Sequence, residues 1–331
     1  MPKRVMPRHG SMQFWPRKRA RRAYPRIRST SKYAEPKLIG FAGYKAGMSH
    51  IMAIDNRKHT ITKGEEIFMP VTIIECPPLR LAGMRCYWPN KKGYGTSAAK
   101  DIFFKADKSL ARKITPSKKP KTQDDLSKIN PDDYIDIAAI VYTQPRLTGI
   151  GKKKPELFEM KIGGKSNAER LNFIKEHIDK EITIAETFNE GALIDTHAIT
   201  TGKGFQGPAK RFGIQLKKRK TEKGIRGVGS LGPWKAQGHI MYRVPHAGQM
   251  GYHQRIQYNN QIIKIGTKPD EVNPKGGFIR FGKVKTTYTL IFGSIPGPKK
   301  RLIIFTHAIR PSRAEIAPTV QYVSLESQQG N

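Results

Sequence analysis

Candidate catalytic side chains are sparse in this sequence, and the clearest pair is Asp195 with His197. Both lie in an apolar stretch with the composition of a strand, so at this spacing they face the same side. Such a pair supports hydrolysis only when a nucleophile is within reach, and the sequence contains no GxSxG motif or comparable elbow. We therefore interpret His197 as a hydrogen-bonded residue of a β domain and predict no catalytic residue.

Motifs for nucleotides, metals and disulfides are equally weak. The segment TGKGFQG (201–207) lacks the GxxxxGK[ST] spacing of a phosphate loop. Asp132 and Asp133 follow Pro131, where a turn alone accounts for them. Cys76 and Cys86 have no CxxC partner, and the nine histidines include no HExxH motif. The sequence therefore predicts no cofactor, no metal site and no small-molecule substrate.

Residues 201–260 carry a different chemistry, the binding of a polyanion. They include twelve Lys or Arg, eleven glycines and a single acid, Glu222. Neither a helical nor a strand period runs through them. So long an irregular segment needs a partner to order it, and its cations indicate that the partner is polyanionic.

Aromatic residues are interleaved with these cations. Trp234 follows Gly232-Pro233 at the expected tip of a turn, and Tyr252, His253 and Arg255 repeat the combination. Nucleobases stack on such rings with about 1–3 kcal/mol per base. The alternative, which stays open at this point, is that the indole packs back into the protein's own core.

The N-terminal segment has the same character. Residues 1–33 contain eleven Lys or Arg, four prolines and no acid. Prolines prevent a continuous helix, and such a composition cannot form a core, so we expect disorder in isolation. Phe14 and Trp15 beside several arginines favour an arm that folds onto RNA over a basic localisation tail.

The charge of the whole chain supports a nucleic-acid partner. The 331 residues include 61 Lys or Arg against 26 Asp or Glu, a net charge of +35. A bound polyanion would relieve the resulting self-repulsion. A membrane fits less well, because no basic amphipathic helix stands out and no apolar run approaches roughly 18 residues. The N-terminus has no apolar signal region, and cysteine is scarce, so we expect a reducing cytoplasm.

Strands must position these segments. We predict a hairpin from two strands (38–44 and 50–55) joined by a turn at 45–49, and further strands at 66–76, 191–200, 260–266, 286–297 and 301–311. About six strands suffice for a small closed barrel, and the fold class is mainly β. The basic loop would then leave the barrel between two strands.

An α+β insertion interrupts this pattern. We predict strands at 79–88, 134–143 and 156–162 and a helix at 166–181. Ser166 and Glu169 have the spacing of a capping box, and Leu171, Ile174 and Ile178 share one face. The predicted organisation is a basic extension (1–37), a β-barrel (38–76 and 191–315), the insertion (77–190), a finger within the barrel (201–260) and a C-terminal tail (316–331).

Four segments carry a family resemblance: PRHGSMQFWPRKRA (7–20), LIGFAGYKAGM (38–48), KTEKGIRGVGSLGPW (220–234) and AGQMGYHQR (247–255). Over essentially its whole length the chain resembles the archaeal and eukaryotic form of the universal large-subunit ribosomal protein three. One departure is Glu222, where eukaryotic members have a histidine. Any role of that histidine, including its modification, does not carry over.

The resemblance implies a fold and a role. The fold is a six-stranded, translation-protein-like β-barrel with an N-terminal arm and a finger that runs through rRNA toward the peptidyl-transferase centre, with Trp234 at its tip. The role is that of a structural, non-enzymatic component of the cytoplasmic large subunit. It implies binding near the 3′ end of the large-subunit rRNA, early action in assembly, and large-subunit proteins fourteen and twenty-four as neighbours.

Predicted rRNA-binding residues are the cations and aromatics of the arm and finger. They are Phe14, Trp15, Arg17, Lys18, Arg19, Arg21, Arg22, Arg26, Arg28, Lys203, Lys210, Arg211, Lys217, Lys218, Arg219, Lys220, Lys223, Arg226, Trp234, Lys235, Tyr252, His253 and Arg255. An alternative is an RNA-modifying or RNA-cleaving enzyme that uses the basic segments for substrate capture. That alternative requires a catalytic constellation, which the sequence does not contain.

Overall fold

The computed structural model describes residues 9–90, 93–117, 120–232, 240–312 and 315–327, with the backbone only at 123 and 124. Its contacts group into two compact units. The arm–finger unit consists of Met1–Arg22 and Ile199–Gln254, and the sheet unit consists of Ala23–Ala198 and Arg255–Asn331. The predicted extension is thus divided, because its residues from Ala23 onward belong to the sheet unit.

Most of the regular structure is β. The strands are β1 Gly40–Ile54, β2 Glu66–Glu75, β3 Leu79–Pro89, β4 Thr96–Phe103, β5 Asp136–Tyr142, β6 Leu157–Lys161, β7 Glu181–Ile182, β8 Leu193–Ile199, β9 Phe205–Gln206, β10 Gly248–Gln249, β11 Gln254–Gly266, β12 Tyr288–Phe292, β13 Leu302–His307 and β14 Thr319–Val323. The α-helices are α1 Gln123–Ser127, α2 Asn167–Glu176, α3 Ile184–Thr187 and α4 Pro208–Phe212. The prediction of a mainly β fold is confirmed.

A seven-stranded sheet dominates the sheet unit, with the order β13, β8, β11, β12, β2, β1, β14. In addition, β13 pairs with the first half of β1, from Gly40 opposite Thr306 to Tyr44 opposite Leu302. Among the strands described in this sheet, β14 is the one with a single neighbour. The finger leaves the sheet at the end of β8 and returns at the start of β11, which are adjacent strands.

β1 is one strand of 15 residues, so the predicted hairpin at 38–55 is wrong. The sequence KAGMS suggests a turn, but Gly47 is needed because the ring of Phe278 packs closely against it. A Cβ atom on Gly47 would lie 2.6 Å from Cδ1 of Phe278. The strand instead shifts its register against β2 between Lys45 and Gly47. This bulge lets one strand pair with β13 along its first half and β14 along its second.

A second sheet lies within residues 79–182. Its order is β4, β3, β5, β6, with β7 paired to β3. The hydrophobic core is continuous between the two sheets, since fully buried Phe41 and Phe305 belong to the same cluster as Met84 and Ile102. The predicted insertion therefore forms its own sheet but shares the core of the unit.

The helix of this region is shorter than predicted. α2 ends at Glu176, so Ile178 lies beyond it, while Leu171 and Ile174 are buried. Ser166 Oγ accepts the N–H of Glu169 at 3.3 Å. The Glu169 carboxylate accepts the N–H of Lys165 at 2.8 Å. The cap is therefore present, but the carboxylate bonds one residue before the position that a capping box requires.

Two boundaries also differ from the expected ones. Residues 316–331, predicted as a tail, contain β14, which pairs with β1 from Ile54 opposite Thr319 to Ile51 opposite Val323. β11 begins at Gln254, inside the range predicted for the finger. β14 and the first part of β11 were missed because they are polar and only partly buried, so their apolar alternation is weak, whereas the strand predicted at 260–266 lies within β11.

Candidate nucleic-acid interface

A small aromatic core organises the arm–finger unit. α4 starts with Pro208 and is followed by Gly213, whose φ of 67° is the left-handed conformation of a helix C-cap. The last helical residue, Phe212, is buried. Its ring lies 5.5 Å from the indole of Trp15, and the Arg17 guanidinium lies 4.3 Å from its centroid. The arm is therefore packed against the base of the finger.

Two arginines join the arm to the finger through their main chains. Arg17 Nη1 donates to the carbonyl of Arg211 at 3.0 Å, and Arg211 Nη2 donates to the carbonyl of Arg17 at 3.4 Å. Arg211 also donates to the carbonyls of Gln249 at 3.0 Å and His246 at 2.7 Å. Burial lowers the pKa of both guanidinium groups, and the charge of Arg17 lowers that of Arg211 further. These donors build the unit instead of facing outward.

The returning end of the finger also contacts the arm. The N–H of Ala20 donates to the carbonyl of Tyr252 at 2.8 Å, and His253 Nδ1 donates to the carbonyl of Lys18 at 2.9 Å. His253 is buried, whereas Tyr252 is half-buried and has the Arg19 guanidinium 5.3 Å from its ring. His253, predicted to bind RNA, therefore supports the arm from within.

A short antiparallel pairing closes the base of the finger. Gly248 stands opposite Gln206 in the pairing of β9 and β10. Next to it, the N–H of Lys203 donates to the carbonyl of Met250 at 2.9 Å, and the N–H of Met250 donates to the carbonyl of Gly204 at 2.9 Å. The two ends of the finger are thus held together where they leave the sheet.

Residues 217–226 form a compact basic turn. The N–H of Lys217 donates to the carbonyl of Ile225 at 3.0 Å. Lys223 and Gly224 have φ values of 59° and 88°, which reverse the chain direction. The six cations of this turn are all exposed: Lys217, Lys218, Arg219, Lys220, Lys223 and Arg226. Within the described part of the chain, none of them forms an ion pair with a carboxylate.

The remaining predicted contact residues fall into three groups. Exposed residues of the arm–finger unit are Phe14, Lys18, Arg19, Arg21, Arg22, Lys203 and Lys210. In the sheet unit, Arg26 and Arg28 are exposed and Arg255 is half-buried. Trp234 and Lys235 lie outside the described residues, so the predicted indole tip stays a prediction.

The candidate catalytic pair is structural. The Asp195 carboxylate accepts the N–H groups of Asn259 and Ile309, each at 3.0 Å. His197 Nε2 lies 3.2 Å from Thr306 Oγ1, and burial lowers the pKa of this histidine. His197 Nδ1 has no hydrogen-bond partner among the described residues, so the predicted satisfaction of this side chain holds for one nitrogen only.

The thiols are equally inaccessible. Cys76 and Cys86 are buried and unpaired by a disulfide, and burial raises the pKa of Cys76 to about 12 and that of Cys86 to about 11. Across the described ranges, no group of three or more His, Cys, Asp or Glu side chains could hold a metal ion. Nor does any helix in those ranges have the length and apolar character to cross a membrane.

Sequence reasoning missed the residues that assemble the interface. Phe212 and Gly10 did not stand out, yet a Cβ atom on Gly10 would lie 2.3 Å from Cδ1 of Phe212. Arg17 and Arg211 were grouped with phosphate-binding cations. One sequence pattern could have indicated this core. Gly207-Pro208 and Gly213 are typical of the start and end of a short helix, here inside the otherwise irregular basic segment.

Comparisons with known proteins show the family of the chain. The family model of ribosomal protein L3 matches residues 1–330. The large ribosomal subunit protein uL3 of Methanothermobacter thermautotrophicus is 44% identical over 338 residues, with 100% of both chains covered. Those of Methanocaldococcus jannaschii and Archaeoglobus fulgidus are 45% and 44% identical, with 98% of each chain covered. By these matches along its full length, the chain belongs to the ribosomal protein L3 family.

Proposed function

We propose that this protein is a structural constituent of the large ribosomal subunit and binds its rRNA mainly through the arm–finger unit. Membership in the ribosomal protein L3 family and the names of its archaeal relatives support this role. The observation that carries it is the basic turn at 217–226, whose six exposed cations have no carboxylate partner among the described residues. The site of action is then the cytoplasm, where ribosomes operate.

The cations of the arm–finger unit have two different roles, one structural and one in binding RNA. Arg17 and Arg211 use their donors on protein carbonyls, so they hold the arm to the finger. The outward-facing cations neutralise phosphates and release the counterions condensed on RNA, which supplies affinity without sequence preference. Phe14, 48% exposed on the arm, offers a face for stacking on a base or sugar.

Closure of the large sheet supports the barrel in this proposal. Because β13 pairs with both β8 and β1, the pairing order of six strands returns to its start. We infer a six-stranded closed barrel with β14 added at one side, a partly separate insertion at 77–190, and a finger that leaves the barrel between β8 and β11. The finger can then extend into RNA while the barrel stays complete.

The finer assignments follow the family resemblance. They comprise binding near the 3′ end of the large-subunit rRNA, a role early in assembly, a finger directed toward the peptidyl-transferase centre with Trp234 at its tip, and contacts with large-subunit proteins fourteen and twenty-four. No residue supplies a reacting group in this role, and the protein is a structural component rather than an enzyme.

Crosslinking in cells tests the proposal. Ultraviolet irradiation of cells that carry the tagged protein, followed by sequencing of the attached RNA and mapping of the modified peptides, should identify large-subunit rRNA attached to peptides from 14–22 and 203–226. A variant with all six cations of the basic turn changed to Gln should lose crosslinks in that peptide while keeping those of the arm. Crosslinks dominated by other RNAs would contradict the proposal.

A further inference from the structure

The outer face of β1, β2 and β14 bears an uncovered apolar patch. Phe68 of β2 and Tyr322 of β14 both stand opposite Met52 of β1, so the three side chains form a row across the sheet. Phe68 is 61% exposed, Tyr322 51% and Leu325 42%. The His50 ring lies 4.9 Å from that of Phe68 and extends the row. Phe68, Tyr322, Met52 and His50 constitute the outer patch, and the exposed Leu325 follows β14.

The edge of β14 beside the outer patch is open. No described strand other than β1 pairs with β14. The N–H of Ser324 donates to the carbonyl of His50 at 3.0 Å. Because backbone groups alternate in direction along a strand, those of Val323 point away from β1. Gln321 occupies the register shift and has no partner in β1. The strand TVQYV contains neither Lys nor Pro, the residues that commonly protect an edge.

This edge is also held in place. Gln261 Nε2 donates to the carbonyl of Ile316 at 2.6 Å. Asn56 Nδ2 donates to the carbonyl of Ala317 at 2.9 Å and to Thr319 Oγ1 at 3.0 Å. The segment that leads into β14 is thus fixed by side chains from two other parts of the sheet unit. Because β14 is already ordered, the binding of a partner strand would not include the entropy cost of ordering β14.

Charge distinguishes this face from the RNA-binding segments. Residues 46–56, 64–78 and 315–327 supply the outer patch and the edge, and they hold none of the chain's 61 Lys and Arg residues. Exposed acids, Glu65, Glu66 and Glu326, flank the strands. Phosphates would be repelled here, whereas a basic protein segment would be attracted. The face therefore suits a protein and not RNA.

We propose that an extended segment of another large-subunit protein adds a strand to the free edge of β14. Its main chain pairs with the outward backbone groups of Val323, its apolar side chains cover the outer patch, and its Lys or Arg side chains face the flanking acids. This inference rests on the proposed function, because the partner is a component of the same subunit.

A photo-crosslinking amino acid at Tyr322 tests the inference in assembled subunits. Its benzophenone side chain should attach to a peptide from one other subunit protein, and that peptide should combine alternating apolar residues with Lys or Arg. The same probe at Ile61, which is fully exposed in the sheet unit, serves as the control and should give little of that product. Attachment to nucleotides at position 322, or to no macromolecule, would overturn the inference.

Variants of the edge give a second measurement. With the probe at Leu325, Val323→Pro removes the outward N–H and should lower the yield of the crosslinked peptide about fivefold, the value of one hydrogen bond. Tyr322→Lys should lower it further, and Ile61→Lys should leave it unchanged. Circular dichroism and thermal unfolding verify that each variant folds. An unchanged yield in both edge variants would reject strand addition.

Sedimentation separates this inference from the proposed function. If the protein fails to sediment with large subunits, both the function and the inference fail. If it sediments with them but position 322 crosslinks to RNA, the inference alone fails.

Discussion

The indole of Trp15 and the ring of Phe212 lie 5.5 Å apart and inclined by 41°, which joins the N-terminal arm to the base of the finger. The sequence predicted that both segments are disordered in the free protein. Packing around Phe212 orders part of both segments, so the prediction of disorder applies to fewer residues. We expect fast local opening only in parts of the unit outside this packing, above all the exposed basic turn.

Amide hydrogen exchange on the RNA-free protein should show this division. The amides of Ala20, Lys203 and Met250, which donate to carbonyls within the unit, should exchange slowly, and those of 218–230 should exchange fast. Phe212→Ala removes the central ring, at a cost of about 3 kcal/mol. It should speed exchange of the slow amides roughly a hundredfold. Phe205→Ala, which truncates a side chain that is 78% exposed, is the control.

Gly10→Ala should weaken the same packing from the arm side. Gly10 has a φ of 78°, and an added Cβ atom would lie 2.3 Å from Cδ1 of Phe212. The substitution is therefore both strained and overpacked, with an expected cost of about 1–3 kcal/mol. Gly229→Ala adds the same methyl group to the finger in open space. Equal exchange rates in the two variants would show that the arm is not held through Phe212.

RNA binding should weaken steeply with salt, and the basic turn should account for part of the slope. Changing its six cations to Gln should reduce the slope of log K against log salt by about 0.7 for each phosphate that the turn no longer neutralises. Four exposed lysines of the insertion provide the control, and their change to Gln should alter the slope little: Lys105, Lys108, Lys121 and Lys128. Filter binding or fluorescence titration over a range of salt concentrations measures both slopes.

Stability should fall in acid because of His307. Burial, with the Lys37 ammonium nearby, lowers the pKa of His307 to about 4. Its ring lies between those of Tyr33 at 4.6 Å and Phe188 at 4.4 Å. The unfolded chain, with a histidine pKa of about 6.5, binds the extra proton first, so stability decreases as the pH falls from about 6.5 to 4.

The expected loss from His307 is about 2 kcal/mol, since solvent screens part of the shift. His307→Gln should remove this portion of the pH dependence of denaturant unfolding, and the exposed His59 changed to Gln should not. A slope that is the same in both variants would mean that other groups, such as buried His197, dominate.

Trp234→Ala tests the proposed tip of the finger. The arm and the other cations supply most of the affinity, so assembly should be largely retained. We expect altered aminoacyl-tRNA binding, altered chemical reactivity of the central rRNA loop and altered sensitivity to inhibitors of the peptidyl-transferase centre. Normal behaviour in all three measurements would place the indole in the protein's own core, and a collapse of assembly would mean that it anchors the finger.

Charge and composition single out the proposed RNA-binding segments because cations on an irregular, glycine-rich backbone are a local property. They could not identify which cations face outward. Arg17 and Arg211 are 194 residues apart, and their mutual contact is a tertiary fact that no local pattern contains. The wrong prediction of a hairpin in β1 has the same cause. Gly47 is required there because the Phe278 ring, far along the chain, packs against it. The apolar strands were found because burial on both faces gives continuous Val and Ile runs.

The pairing of β1 with β13 and β14 also affects the order in which the sheet can form during synthesis. β1 is synthesised well before two of its partners, β13 and β14, which begin at Leu302 and Thr319. Contacts so distant in sequence form slowly, and an apolar strand that waits for them is prone to aggregate. Until β13 and β14 have been synthesised, one side of β1 lacks these partners, while the cationic residues that precede β1 are already free to meet RNA. In the nascent protein, β1 therefore needs protection from aggregation until β13 and β14 pair with it.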